Sequence, residues 1–193
     1  MHANEVNKTR VLVECALFVA LATVLSLFTL FSMPQGGTIT PFSMVPLLLA
    51  SHRHGIKWGA FTGFTHGLLQ TLLGLKNVMY CTTIWAMAGC VLLDYIIAYT
   101  VIGLASAAEP FFKNQRLGIM AGAAAAGLLR YLCSFLSGIL IWGGYAPEGT
   151  PVWLYSLVYN GSYMIPEILL TAGAAVILLP LLDRLGRSEK SAS

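Results

Sequence analysis

The sequence predicts an all-α membrane protein, a six-transmembrane-helix bundle that forms a single domain over residues 1–193, with both termini cytoplasmic. Composition is the first reason: 57% of the 193 residues are hydrophobic, only 10% are charged, and the mean hydropathy is +0.75. Soluble domains carry about 25% charged residues. The other two reasons are the division of the chain into long apolar segments and the uneven distribution of its basic residues.

The apolar segments are separated by short loops rich in glycine and proline, and each segment is compared with the roughly 20 residues that a crossing helix needs. The six predicted spans are Val11–Phe31, Pro41–Ser51, Lys57–Leu75, Met79–Ser106, Leu117–Trp142 and Val152–Leu182. The second is too short to cross unless residues from Thr38 join it, so we expect it to be tilted, or partly non-helical and buried in protein. The first lacks a small-residue cleavage site followed by a soluble domain, so we expect an uncleaved helix and not a signal peptide.

Basic residues favour one side of this topology. The inner side would hold nine of them: Lys8, Arg10, Arg53, Lys57, Lys113, Arg116, Arg184, Arg187 and Lys190. The outer loops Met33–Thr40, Leu75–Tyr80 and Gly143–Pro151 would hold Lys76 alone. Because lysine and arginine are enriched in cytoplasmic loops, and because an odd number of crossings would split the clusters, this bias predicts six crossings and cytoplasmic termini.

Several classes of function are disfavoured by what the sequence lacks. The net charge of +3 does not indicate nucleic-acid binding. The sequence has no GxxxxGK[ST] phosphate loop, HExxH, GxSxG or CxxC motif. The four cysteines are scattered through apolar segments and are expected to be small buried side chains, with no metal or disulfide; they are Cys15, Cys81, Cys90 and Cys133.

Asp94 is the most informative residue. It lies in the apolar run Ile84–Ala105, with no lysine or arginine within fifteen positions on either side. A carboxylate at the bilayer centre costs about 2.5–3.5 kcal/mol on insertion scales, and such groups usually mark a cavity or an ion, proton or substrate path. If no cation of the protein pairs with Asp94, a cationic ligand is the natural partner.

The last span carries a polar and aromatic stripe near its start. At 3.6 residues per turn, Ser156, Asn160, Tyr163 and Glu167 fall on one face, with Tyr155 and Tyr159 one turn apart beside it. Further polar or aromatic residues lie in the outer halves of the two preceding spans: Trp85, Tyr95, Tyr99, Ser134, Ser137 and Trp142. This combination predicts a small-molecule pocket.

Structural explanations compete with the pocket for several residues. Trp153, Tyr80 and Tyr145 fit an interfacial belt, and Asn160 fits a helix–helix hydrogen bond. Arg130 is expected to form an ion pair with Glu14 or Glu167. Three histidines are expected to be structural or solvated: His66 as a packing residue, and His52 and His54 as solvated side chains of the inner loop.

Two helical faces are lined with small residues, which allow close approach of helices. Ala16 and Ala20 form such a face in the first span, and sequence alone does not decide between packing within the chain and packing against another subunit. The third span carries glycine at every fourth position, at Gly55, Gly59, Gly63 and Gly67. That face is either a close internal contact or a sliding surface.

Four stretches carry a resemblance to a known family: Ser32–Gly37, Leu92–Ile96, Leu128–Tyr131 and Ala146–Asn160. Over nearly its whole length the chain resembles the thiamine-specific S-components (ThiT) of energy-coupling factor (ECF) transporters. The resemblance implies high-affinity capture of thiamine at the outer face. It also implies no enzymatic activity or cofactor of its own, because ATP is used by a separate module of one transmembrane subunit and two ATPase subunits.

The resemblance also assigns roles to residues. It implies that Asp94 is the counter-charge of the thiazolium, that Trp142 stacks on a ring, and that Asn160 binds the aminopyrimidine edge, with Tyr95 and Tyr155 adding hydroxyl hydrogen bonds. It implies that Ala16 and Ala20 dock on the transmembrane subunit, that Pro34–Gly37 is a lid, and that the alanine and glycine faces of spans one and three slide during toppling in the membrane.

Two positions depart from the family pattern. Ser134 stands where a histidine is usual, with Tyr159 or Trp85 as candidates to compensate, and Gly37 stands where some members have tryptophan. These departures leave open a changed affinity or a preference for a thiamine relative, such as the precursor hydroxymethylpyrimidine. Two alternatives come from other classes of protein: a structural membrane subunit, and an intramembrane enzyme that uses Asp94 with Glu167.

Overall fold

The computed structural model describes residues 8–34 and 37–192, with side chains up to residue 181. Its helices are α1 (Lys8–Leu27), α2 (Val45–His54), α3 (Ile56–Leu73), α4 (Leu75–Met79), α5 (Ile84–Phe111), α6 (Gln115–Leu140) and α7 (Val152–Ala192). Between α1 and α2 lies an antiparallel hairpin of β1 (Phe31–Ser32) and β2 (Thr38–Ile39), in which Phe31 pairs with Ile39 and Ser32 with Thr38.

The described chain has seven helices where the sequence predicted six segments. The additional helix is α4, which occupies most of a predicted outer loop and is separated from α3 by Gly74. By length and composition four of the described helices can cross a membrane, namely α1, α5, α6 and the Val152–Leu181 part of α7. The hairpin was not predicted, because two-residue strands leave too short a pattern to read.

The second segment is a short buried helix, as its length suggested. Helix α2 has ten residues, about 15 Å at 1.5 Å per residue. Pro46 lies in its first turn, where a missing N–H costs nothing. All residues from Val45 to Ser51 are buried, so α2 is a core element enclosed by longer helices.

Helix α5 changes its winding where the site lies. It is α-helical from Ile84 to Cys90, π-helical from Val91 to Ile96, and tightens to a 3₁₀ helix from Val101 to Phe111. Asp94 and Tyr95 belong to the π-helical turn. Such turns occur frequently at functional sites, where the additional residue re-aims side chains.

The glycine face of α3 is an internal contact and not a sliding surface. A Cβ added at Gly63 would meet the backbone oxygen of Tyr99, and one at Gly59 would meet that of Gly103. At Gly67 it would lie 2.9 Å from the backbone oxygen of Tyr95. The missing side chains let α3 and α5 pack backbone to backbone, so the expectation that this face slides is wrong.

His52 and His54 are not solvated, in contrast to the sequence-based expectation. His54 Nε2 lies 3.0 Å from a carboxylate oxygen of Glu14 in α1, and His52 Nδ1 lies 2.9 Å from one of Glu109 in α5. Arg53 Nη2 lies 3.8 Å from Glu14 as well. These contacts gather the beginning of α1, the α2–α3 junction and the end of α5 at one end of the bundle.

The apolar core and the polar residues occupy different halves of the same helices. The largest buried apolar cluster takes residues 102–105 of α5, 119–126 of α6 and 172–179 of α7, together with α2. The polar residues of these helices lie nearer the hairpin, in the first part of α5 and α7 and the last part of α6. The apolar core therefore fills the half of the bundle with the histidine–carboxylate pairs, and the polar residues lie in the half with the hairpin.

Candidate functional site

A cavity of about 300 Å³ lies between the hairpin and helices α1, α3, α5, α6 and α7. All eight residues that the sequence analysis assigned to ligand binding line it: Gly37, Asp94, Tyr95, Ser134, Trp142, Tyr155, Tyr159 and Asn160. They come from the hairpin and three helices, so only the folded bundle brings them together. Their contact with a ligand stays a prediction.

Asp94 is held by neutral donors. Its Oδ2 accepts from the Ser137 hydroxyl at 2.7 Å and from the Trp142 indole N–H at 3.1 Å. Within the described residues no cationic side chain forms an ion pair with this carboxylate. Two neutral donors orient the carboxylate and leave it without an ion-pair partner, which makes a cationic ligand its natural partner.

Trp142 is positioned by the same contact. It follows the last turn of α6, where the α-helix ends at Leu140. Its indole is fixed through the bond to Asp94, and its ring lies 6.0 Å from that of Tyr145 at an interplanar angle of 45°. An oriented indole beside a carboxylate suits a flat cationic ring, through stacking and a cation–π contribution.

The α7 wall combines a pair of tyrosine rings with the hydrogen-bonded side-chain amide of Asn160. Tyr155 and Tyr159 have ring centroids 5.5 Å apart. The Asn160 amide nitrogen donates to the backbone oxygen of Ser156 at 3.0 Å and to its hydroxyl at 3.2 Å, while the Tyr163 hydroxyl donates to Asn160 Oδ1 at 2.8 Å. Because an amide oxygen can accept two hydrogen bonds, Asn160 Oδ1 keeps one acceptor position beside the bond from Tyr163, and that position suits an amino group.

The hairpin packs on this wall through Gly37. Its φ is +87°, a region that favours glycine, and an added Cβ would lie 2.6 Å from Cε1 of Tyr163. Gly37 also accepts a backbone hydrogen bond from Met33 at 2.9 Å. Of the predicted lid Pro34–Gly37, residues 35 and 36 lie outside the described part of the chain.

Tyr95 directs its hydroxyl toward the break between α3 and α4. The hydroxyl donates to the backbone oxygen of Gly74 at 3.3 Å and accepts from the Asn77 amide at 3.4 Å. Gly74 is needed there because a Cβ would collide with the tyrosine ring. Tyr95 therefore closes the α3–α4 side of the cavity.

Arg130 forms its ion pair with Glu167 and not with Glu14. Arg130 Nη1 lies 3.3 Å from Glu167 Oε2, and the guanidinium lies 4.7 Å from the ring centroid of Tyr99. Glu167 is 1% exposed, and its other oxygen accepts from Thr40 at 2.7 Å. With both oxygens engaged, Glu167 is not a free partner for acid–base chemistry with Asp94.

Among the cavity residues that were not assigned to ligand binding from the sequence are two polar side chains of α1 and α3. Gln70 of α3 and Ser26 of α1 line the cavity and are hydrogen-bonded to each other at 2.6 Å. The available signal was the placement of Gln70 four residues after His66, which puts two polar side chains on one face of an apolar helix. Within the described chain no group of three or more His, Cys, Asp or Glu residues is arranged to hold a metal ion.

Fold and site together define a class, an α-helical multi-pass membrane protein that encloses a polar and aromatic cavity of small-molecule size. Residues 12–186 match the model of the family described as thiamine transporter protein (Thia_YuaJ). The chain belongs to this thiamine transporter family, and its location is the cell membrane.

Individual relatives align with three quarters or more of the chain. The chain is 35% identical to the thiamine transporter ThiT of Bacillus subtilis over 93% of this chain and 95% of the relative. It is 29% identical to ThiT of Lacticaseibacillus paracasei over 75% and 74% of the two chains. The solved structure of ThiT from Listeria monocytogenes superposes with a TM-score of 0.74 at 27% identity, covering 92% of this chain and 97% of that one.

Proposed function

We propose that the chain is the substrate-binding S-component of an ECF-type importer, which captures thiamine with high affinity at the outer face of the membrane. The observation that carries this proposal is the carboxylate of Asp94, which faces the cavity without a cationic partner among the described residues. Thiamine carries a permanent positive charge on its thiazolium ring. Pairing it with a partly desolvated carboxylate is more favourable than the same pairing in water.

The other walls supply contacts for the remaining parts of thiamine. Trp142 is oriented for stacking, Asn160 offers an oxygen to the amino group of the pyrimidine, and the Tyr155–Tyr159 pair provides aromatic surface. Ser134 is buried in the α6 wall between these groups.

The proposed orientation has six crossings and cytoplasmic termini, with the cavity at the outer end. The contacts of Glu14 with His54 and of His52 with Glu109 support it, since they bring the basic junctions to the end away from the cavity. The excess of lysine and arginine at that end marks the cytoplasmic side. In this arrangement the hairpin lies at the outer mouth of the cavity.

Energy would come from partner subunits, one transmembrane subunit and two ATPases, because the sequence has no phosphate loop. Ala16 and Ala20 are exposed on α1, between the exposed side chains of Leu12, Leu17 and Leu21. An exposed small-residue face inside a membrane suits close packing against another helix. We propose it as the docking face on the transmembrane subunit, and as the one surface that slides during toppling.

Equilibrium binding of thiamine to the detergent-purified chain, followed by intrinsic tryptophan fluorescence, tests the proposal. Quenching with nanomolar-range affinity is the expected result, and Trp142→Phe should remove most of the signal while Trp153→Phe keeps it. A response to hydroxymethylpyrimidine but not to thiamine would assign the transporter to a precursor. No response to either compound would contradict the proposal and favour a structural subunit.

A further inference from the structure

Gln70, Ser26, His66 and Thr23 form a buried polar cluster between α1 and α3, and two of its members reach the cavity. Gln70 and Ser26 line the cavity, whereas His66 is 1% exposed and lies behind them. None of the roles assigned above uses this cluster. The positions of its hydrogens follow from the contacts.

The two hydroxyl groups of the cluster have their hydrogens engaged with the backbone of α1. The Thr23 hydroxyl donates to the backbone oxygen of Val19 at 2.8 Å, and the Ser26 hydroxyl donates to the backbone oxygen of Thr23 at 2.7 Å. A hydroxyl has one hydrogen to donate. In their remaining contacts, both oxygens therefore act as acceptors.

This assignment fixes the amide of Gln70. Its terminal atom, placed as nitrogen, lies 2.6 Å from Ser26 Oγ. Because the Ser26 hydroxyl hydrogen is directed at the backbone oxygen of Thr23, this contact fits donation from Nε2 to Ser26 Oγ. Nε2 also lies 3.3 Å from His66 Nε2. The two amide hydrogens are then directed at Ser26 and His66.

His66 completes the arrangement as a neutral imidazole. Its Nδ1 lies 3.1 Å from Thr23 Oγ1, and with the Thr23 hydrogen directed at Val19 this contact assigns the ring proton to Nδ1. Its Nε2 is then free to accept from Gln70, as the neutral tautomer requires. The near-complete burial of His66 favours the same uncharged form.

In this network the side-chain oxygen of Gln70 accepts no hydrogen bond from the described residues. A planar amide places Oε1 on the side away from Nε2, and no donor of the described chain is in hydrogen-bond contact with it. Since Gln70 lines the cavity and its nitrogen is directed into the wall, the oxygen is the part available to a ligand. The wall at Ser26 and Gln70 has no charged group, so it suits a neutral donor.

We propose that Gln70 is a specificity-determining residue whose side-chain oxygen accepts a hydrogen bond from a hydroxyl group of the ligand. The inference rests on the proposed function, since in a ligand of thiamine chemistry that donor is the terminal hydroxyl. The cationic ring is then assigned to Asp94 and the amino group to Asn160. Ser26 and His66 act as positioning residues that keep the amide from turning.

The test compares thiamine with its deoxy analogue, which has ethyl in place of hydroxyethyl, on the full-length chain in detergent. The unaltered protein should bind thiamine about tenfold or more tightly than the analogue, the range expected for a lost buried hydrogen bond. In Gln70→Met this preference should fall to about one, through weaker binding of thiamine with little change for the analogue. Thr65→Val, which removes a hydroxyl from the same helix but not from the cavity, should keep the full preference.

A purely structural role for Gln70 would weaken both ligands equally and leave their ratio unchanged, which would overturn the inference but not the proposed function. Failure of the unaltered protein to bind either compound would overturn both. If Gln70→Met does not fold, Ser26→Ala is the second variant. It removes the acceptor that fixes the amide, so the preference should fall severalfold, and an unchanged ratio would count against the proposal.

Discussion

At the scale of single residues, the site depends on which polar atoms are left unsatisfied by the protein. Asp94 is held through one oxygen by Ser137 and Trp142 and has no cationic partner among the described residues. Arg130, in contrast, is matched by Glu167. Of these two charged groups that line the cavity, Arg130 has a charged partner in the protein and Asp94 has none among the described residues.

Asp94→Asn is expected to weaken thiamine binding about 10- to 100-fold while leaving a neutral pyrimidine ligand nearly unaffected. A hydrogen bond to a charged group contributes about 1.5–3 kcal/mol, and asparagine keeps an oxygen for Ser137 and Trp142 but loses the charge. Titration by tryptophan fluorescence measures both ligands. Glu148→Gln, which removes a carboxylate from the neighbouring loop outside the cavity, is the control and should bind normally. Equal losses for charged and neutral ligands would contradict the counter-charge role.

Gly37→Ala should weaken thiamine binding severalfold more than Gly149→Ala does. Both glycines have positive φ, +87° and +80°, so the conformational cost is similar, about 1–2 kcal/mol. Only at Gly37 does the new Cβ meet a neighbour, the ring of Tyr163, and nothing lies within 4 Å at Gly149. Binding constants of the two purified variants isolate the hairpin contact. Similar affinities would show that the hairpin does not shape the cavity.

At the scale of elements, the position of the cavity depends on how closely α3 and α5 approach. Three glycines of α3 pack against the α5 backbone, and two of the contacted residues, Tyr95 and Tyr99, also line the cavity. The π-helical turn that carries Asp94 lies in the same part of α5. The distance between these helices therefore sets the width of the site.

Gly63→Ala is expected to destabilise the protein by about 1–3 kcal/mol, the usual cost of overpacking. Its Cβ would meet the backbone oxygen of Tyr99 and lie 3.1 Å from Thr100 Cα, and backbone atoms cannot rotate away. Thermal unfolding in detergent measures the effect. Gly173→Ala in α7, where nothing lies within 4 Å, should be neutral or slightly stabilising because alanine favours the helix. Equal melting temperatures for the two variants would argue against tight α3–α5 packing.

The Arg130–Glu167 pair joins α6 to α7, and its two charges should be coupled. Arg130→Met leaves the Glu167 carboxylate buried and unpaired, with an expected cost of about 3–5 kcal/mol. Adding Glu167→Leu should restore part of this stability, since the unpaired charge is removed. Arg10→Met, which breaks a pair whose arginine is 71% exposed, should cost at most about 1 kcal/mol. Additive losses in the Arg130 and Glu167 double variant, read from denaturation midpoints, would refute the coupling.

At the scale of the whole molecule, the proposed ligand site and the proposed docking face occupy separate surfaces of the same bundle. The cavity is enclosed by the inward faces of the helices, while Ala16 and Ala20 are exposed on the outward face of α1. A substitution on one surface should therefore leave the other intact. This separation allows binding and transport to be tested independently.

Ala16→Trp combined with Ala20→Trp should leave thiamine binding unchanged and lower uptake at least tenfold in cells that supply an ECF module. Bulky side chains prevent the close approach that a small-residue face permits. Leu169→Trp, at an exposed side chain of α7 and away from α1, is the control and should transport normally. Normal uptake and assembly by the double variant would exclude this face as the docking site.

Much of the fold was predictable because burial in a membrane imposes length and polarity on every segment. The long spans agree with α1, α5 and α6 to within about five residues at each end, whereas α7 begins at Val152 as predicted but continues to Ala192, beyond the predicted end at Leu182. The brevity of α2 was evident from Pro41–Ser51. Helix α4 and the hairpin were missed, because segments of two to five residues carry no periodicity of their own. The histidine–carboxylate pairs were missed because each joins residues 40 or 57 positions apart.

By itself the sequence determined that this is a helical membrane protein with an unusual carboxylate. Long apolar segments must satisfy their backbone hydrogen bonds within helices in a bilayer, and Asp94 is too costly to face lipid. It also indicated residues that line the cavity, since Asn160 is costly to expose to lipid and lies in the last span beside Tyr155 and Tyr159. Only the tertiary structure decided that the α3 glycines are internal, that Arg130 pairs with Glu167, and that Gln70 lines the cavity. Those outcomes depend on distances between helices, which local periodicity does not encode.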